Sequence, residues 1–81
     1  MKIRQTMDKY NIGKNIRLYR MQANLTQEQT VAKMQLFGLS ISRGSYSQIE
    51  CGIANIRVEE LLALSKIFGV DINSFFDGID L

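Results

Sequence analysis

The chain predicts an all-α fold of five short helices, and three observations carry that expectation. No proline interrupts its 81 residues. Apolar residues recur at helical rather than alternating spacing, so no strand is expected. Single glycines and asparagines supply the turn signals between the helical patterns.

The first helix is expected over about residues 9–23, where Ile12, Ile16, Tyr19 and Ala23 make an apolar stripe at i, i+4, i+7 and i+11. Lys14, Arg17 and Met21 lie off that stripe, which makes the outer face basic. Asn24 is the expected stop, because Asn tolerates the left-handed conformation that closes a helix. Thr26-Gln27-Glu28-Gln29 has the form of a capping box, so a second helix starts at Gln27. It turns Val31 and Met34 inward and ends at Gly38, with Leu39 as the apolar residue that follows a Schellman cap. Ser42 caps a third helix, 43–51, whose Tyr46 and Ile49 face the core and which Gly52 ends. Val58, Leu61, Leu62, Leu64, Ile67 and Phe68 mark a fourth helix, 58–68, closed by Gly69. Asp71 caps a fifth that carries Ile72, Phe75 and Phe76. Short connections between such elements make a helical bundle.

Composition removes whole classes of function. At 9.2 kDa the chain holds one domain and one modest core. It has no histidine, which takes away the commonest general base and the commonest metal ligand. Its one cysteine, Cys51, cannot close an internal disulfide and is read as a small filler or an exposed thiol. No carboxylate pair sits in an evident pocket, and Ser65-Lys66 are helix neighbours that face different ways. An enzyme is therefore not expected, nor a cofactor, a metal or a small-molecule ligand. No apolar run approaches the ~18 residues of a membrane span, and Met1-Lys2-Ile3-Arg4-Gln5 lacks the apolar stretch of a leader. A cytoplasmic location is the expectation.

The net charge of +2 hides a segregation. Residues 1–24 carry six basic side chains against Asp8 alone, residues 25–57 are near balance, and residues 58–81 carry Lys66 against five carboxylates. A polyanion would meet the first part and be turned away by the last.

Two short helices, 27–37 and 43–51, each opened by a Ser or Thr cap and joined by a Gly-containing turn, meet the requirements of a helix-turn-helix. Three linked runs make the signal specific: Ile12-Gly13-Lys14-Asn15-Ile16-Arg17-Leu18-Tyr19-Arg20, Leu25-Thr26-Gln27-Glu28-Gln29 and Tyr46-Ser47-Gln48-Ile49-Glu50-Cys51-Gly52. In that order, and followed by the apolar helix ending at Gly69-Val70, they resemble the Cro and phage-repressor family of helix-turn-helix DNA-binding domains over roughly residues 10–77. The resemblance implies a five-helix lambda-repressor-like bundle spanning 10–77, with 1–9 as an N-terminal arm and 78–81 as a tail. Thr30 and Val31 stand where the family usually has Leu and Ala, and Ile56 where it often has Pro. The stretch from Thr26 to Glu50 is about five residues longer than is typical, the extra material being Gln35–Ile41. Helix 2 is expected to gain a turn, and the connection to helix 3 to lengthen.

By resemblance helix 3 is the recognition helix, and its residues agree. Arg43, Gly44, Ser45, Ser47 and Gln48 are short or polar and suit base contacts in a major groove. Arg43 suits guanine and Gln48 adenine, and Gly44 lets the backbone come close; a solvated helix face is the alternative for Arg43 and Gln48, and simple tolerance of a glycine for Gly44. Phosphate contacts are expected from Thr26, Gln27, Lys33, Ser42, Asn55 and Arg57. The family's matching Arg and Glu form an ion pair between helices 1 and 3, which assigns Arg20 and Glu50 a structural role. Tyr10 and Tyr19 are read as core or rim residues. Phe75, Phe76, Ile79 and Leu81 exceed what a chain end needs, so some close the core and the surplus serves a dimer contact. A double-stranded-DNA-binding repressor or regulator, acting as a homodimer, is the first reading. The alternative is a protein-interaction module, or an antitoxin or controller, that uses the acidic Phe-rich C-terminal third.

Overall fold

A computed structural model of the chain describes residues 2–3 and 12–79. In chain order the elements are β1 (Lys2–Ile3), α1 (Gly13–Gln22), α2 (Gln27–Leu36), α3 (Arg43–Glu50), β2 (Ile56–Arg57), α4 (Val58–Phe68) and a 3₁₀ segment, Ile72–Phe76. The fold is mostly helical, as expected, with four α-helices. Three details differ from the sequence reading, the first being that α1 begins at Gly13, with Ile12 as its N-cap, rather than near residue 9. The fifth helix is a 3₁₀ run: the Asp71 side chain accepts from the Asn73 amide, and five residues do not support an α-helix. Residues 2–3 and 56–57 pair as antiparallel backbone, Lys2 opposite Arg57 and Ile3 opposite Ile56. Two residues of pairing leave no alternation for a sequence pattern to reveal.

Capping decides the helix boundaries. The Thr26 hydroxyl accepts from the Gln29 amide at 3.1 Å, and the Gln29 side-chain oxygen accepts from the Thr26 amide at 2.9 Å. At the other end of α2, Gly38 is left-handed at φ 85°. Its amide donates to Gln35 and that of Leu39 to Met34, the two bonds of a Schellman cap. Asn24, at φ 58°, closes α1 with the same pair of bonds to Met21 and Arg20. Gly52 and Gly69 close α3 and α4 at the expected positions.

The core draws on every helix: Ile12 and Ile16, Val31 and Met34, Tyr46 and Ile49, and Leu61, Leu64 and Phe68. Ile41 reaches it from the turn before α3, and Ile56 from β2. Leu62 leaves the apolar pattern of α4 and is 49% exposed, while Ala63 is buried in its place. The expectation for the C-terminal aromatics also needs correcting. Phe75 is fully buried, edge-on to Tyr19 at 5.9 Å and to Phe68 at 6.3 Å, so it closes the core and offers no dimer surface. The Asn15 side chain donates to the carbonyls of Phe75 and Asp77, and the Tyr19 hydroxyl donates to the Asp77 carboxylate. These bonds lash the 3₁₀ segment to α1. Ile79 packs partly against the core and Phe76 stays 37% exposed. Tyr10 and Leu81 lie outside the described residues. No helix among the described residues is long and apolar enough to cross a membrane.

Candidate nucleic-acid interface

Helix α3 turns three side chains inward, Tyr46, Ile49 and Glu50. At about 100° per residue the opposite strip runs through Gly44, Gln48 and Cys51, all exposed. Cys51 escaped the sequence reading as part of this face, although its spacing of four and three residues along 44, 48 and 51 marks it there. Arg43 and Ser47 flank the strip on one side and Ser45 on the other. A built Cβ at Gly44 would meet nothing nearer than the Ser42 hydroxyl at 4.0 Å, so the glycine answers no crowding within the fold.

The Ser45 flank borders a groove of about 230 Å³, whose walls include Ser40, Ser45, Gln48, Asn55 and Arg57. Residues proposed for bases and residues proposed for phosphates thus meet along one surface. Glu60 also lines it; one of its oxygens accepts the Arg57 amide at 2.7 Å, capping α4. On the other flank the Arg43 guanidinium reaches the Glu28 carboxylate at 3.3 Å, both side chains well exposed. An exposed pair of this kind is worth at most ~1 kcal/mol, so it yields readily to a better partner.

Behind the strip lies a polar cluster that the sequence could only partly suggest. Arg20 grips Glu50 with two bonds, Nε to Oε2 at 2.6 Å and Nη2 to Oε1 at 3.1 Å. Its Nη1 donates to the Leu25 carbonyl at 2.8 Å. The Gln27 amide donates to the same Glu50 Oε1 at 3.1 Å. Burial pushes the Glu50 carboxyl up, but the hydrogen bonds from Arg20, the neighbouring Tyr46 hydroxyl, the Gln27 side-chain amide and the guanidinium charge together outweigh it and hold the acid below its ordinary value. The Arg20 guanidinium is correspondingly raised, first by its bond to Glu50. The Tyr46 hydroxyl is buried beside this cluster with no aligned hydrogen-bond partner among the described residues. Desolvation first, then the nearby carboxylate, push its phenol far above the usual range. One carboxylate therefore ties α1, the first turn of α2 and the end of α3 together.

One phosphate candidate, Ser42, has a second role within the fold. Ser42 caps α3 by accepting the Ser45 amide, and its single hydroxyl proton goes to Ser45 Oγ at 3.0 Å. Its hydroxyl is thereby engaged twice within the fold, as acceptor and as donor. Lys33 falls about 140° around α2 from Glu28, whose side chain is the one that reaches α3. Lys33 is exposed in the last turn of α2. Thr26 and Gln27 stand at the start of α2, Gln27 held half-buried by Glu50.

No curated protein matches the chain. A family model described as helix-turn-helix, of the Cro and phage-repressor type, matches residues 16–75, about three-quarters of the chain. That span takes in most of α1, both helices of the motif, α4 and all but the last residue of the 3₁₀ segment. The match covers well over half of the chain, which belongs to the Cro-type helix-turn-helix family of DNA-binding transcriptional regulators.

Proposed function

We propose that the protein is a sequence-specific repressor that binds double-stranded DNA as a homodimer, with α3 in the major groove. The observation that carries this reading is the continuous polar surface from Arg43 through Gly44 and Gln48 to Asn55 and Arg57, with no core role for any of them. Arg43 and Gln48 are the base-reading side chains, and Ser45 and Ser47 supply shorter contacts. Thr26, Gln27, Asn55 and Arg57 position the backbone, with Ser42 as the cap that holds α3 in place. One reading head is short for a specific site. A homodimer through Phe76, Ile79 and the chain end would double the contacts across half-sites about one helical turn apart. Residues 10–77 act as the binding body; the arm 1–9 begins with backbone pairing at Lys2–Ile3, and 78–81 form a tail. The antitoxin or interaction reading draws less support, because Phe75 is buried and Asp77 is bound to Tyr19.

Selection from randomised duplexes tests the proposal. A specific binder enriches a half-site motif and reaches nanomolar affinity at moderate salt; failure to enrich any sequence overturns it. Two further outcomes are expected with the selected duplex. Gly44→Ala raises stability by up to ~1 kcal/mol, because the helix gains a better former in open space, yet weakens binding at least about fivefold. Opposite signs in thermal melting and in titration check this; equal or tighter binding removes the close-approach role. Cys51 is an exposed thiol on the outward strip, so bound duplex slows its alkylation by iodoacetamide at least about tenfold. Unchanged labelling would place the DNA elsewhere.

A further inference from the structure

We infer that the lengthened turn between α2 and α3 is a second DNA-contacting element, which takes the sugar-phosphate strand bordering the groove that α3 enters. This rests on the DNA-binding reading above and extends it to a surface that the motif alone does not supply. The turn forms an open concavity of about 670 Å³, walled by Gln35, Ser40, Ile41, Ser42 and Ser45 among others. Ser40, Ile41 and Ser45 also line the groove that holds Gln48, Asn55 and Arg57. The two depressions therefore form one continuous surface along α3.

The lining suits a polyanionic strand. No carboxylate lines the concavity, and three serines, Ser40, Ser42 and Ser45, do. Ser40 and Ser45 are both exposed, and both stand at the boundary of the two depressions. The turn is also pre-set. The Schellman cap at Gly38 fixes its start, the buried Ile41 side chain anchors its end, and the Gln35 amide donates to the Ile41 carbonyl at 3.0 Å. A contact element already held in one shape loses little conformational entropy on binding.

The test uses the full chain and the duplex it selects. Ser40→Asp is expected to weaken binding about tenfold, and Ser40→Lys to tighten it and steepen the log-affinity against log-salt slope by about 1. In wild type, ethylation of one or two phosphates at the edge of each half-site is expected to interfere with binding, and Ser40→Asp to lose that sensitivity. Asn73→Asp adds the same charge on the 3₁₀ segment and is expected to change affinity by less than about twofold. Both positions are exposed, and equal melting temperatures confirm equal folding. Ser40 variants that bind as wild type with an unchanged ethylation pattern overturn the inference alone. Equal losses from Ser40→Asp and Asn73→Asp overturn it too, as a diffuse charge effect. If no duplex is enriched, the DNA-binding reading and this extension fall together.

Discussion

Gly13→Ala will destabilise the domain by at least ~3 kcal/mol, the largest expected effect of a single added methyl group in this chain. A Cβ there would lie 2.1 Å from the Ile49 carbonyl oxygen and 2.7 Å from that of Glu50. Those are backbone atoms at the end of the recognition helix, so no side chain can swing aside. Relief requires α1 and α3 to separate, which pulls Ile12 and Ile16 away from Tyr46 and Ile49 in the core. The helix-propensity gain of Ala over Gly, ~1 kcal/mol at most, is too small to reverse the sign. A domain of this length has about 4–12 kcal/mol of stability in all, so the melting temperature falls by at least about 12 °C. Thermal melting of the variant beside wild type checks it; a loss under about 4 °C would mean the helices are not in this contact.

Arg20→Ala is expected to cost about 3–5 kcal/mol, because it strands a charge that is already out of water. The Glu50 side chain is 2% exposed and that of Arg20 12%, and two hydrogen bonds join them. Urea unfolding near pH 7 measures the loss. Removing Arg20 also frees the Leu25 carbonyl and loosens the carboxylate on which Gln27 hangs, so DNA affinity falls with stability. Loss of binding with an unchanged melting temperature would contradict the structural role. The same cluster sets an acid limb. The folded-state carboxyl of Glu50 is lowered by Arg20, Tyr46 and Gln27 against the opposing effect of burial. Its contribution is therefore complete above the ordinary carboxylate range and disappears as pH falls from that range through the lower folded value. Glu50→Gln lowers stability at neutral pH and flattens the acid side of the stability curve. Identical acid slopes in the two proteins would show that other carboxylates govern acid unfolding.

Much of the fold was legible because it depends on neighbours in the chain. The capping box at Thr26–Gln29, the left-handed stop at Asn24 and the closures at Gly38 and Gly69 are local hydrogen-bond patterns. The inward sets Ile12/Ile16, Val31/Met34 and Tyr46/Ile49 follow from helical spacing alone. Leu62 and Thr30 show where that reasoning runs out. Leu62 is apolar yet half exposed. Thr30 is polar yet fully buried, and its hydroxyl donates to the Thr26 carbonyl one turn back. Spacing says which residues share a face, not where the covering layer ends. The same limit explains Phe75 against Phe76: adjacent aromatics differ only in which one meets Tyr19 and Phe68.

The candidate interface divides along the same line. That α3 carries a polar face, and that basic residues gather in the first part of the chain, is written in residue order. So is the family, since its motifs are runs of neighbouring residues. The partners across the chain are not: Gln27 bound to Glu50, Arg43 to Glu28, Gln35 to the Ile41 carbonyl, and Lys2–Ile3 paired with residues 56–57. By itself the sequence determined which segments become helices, where they stop and which side of each faces inward, because those are matters of local geometry and one-turn spacing. Only the tertiary structure decided that Gln27 reaches Glu50, that Phe75 rather than Phe76 fills the core, and that Gly13 lets two backbones touch. Those outcomes depend on distances of a few ångströms between helices, and such distances arise only when the whole core packs at once.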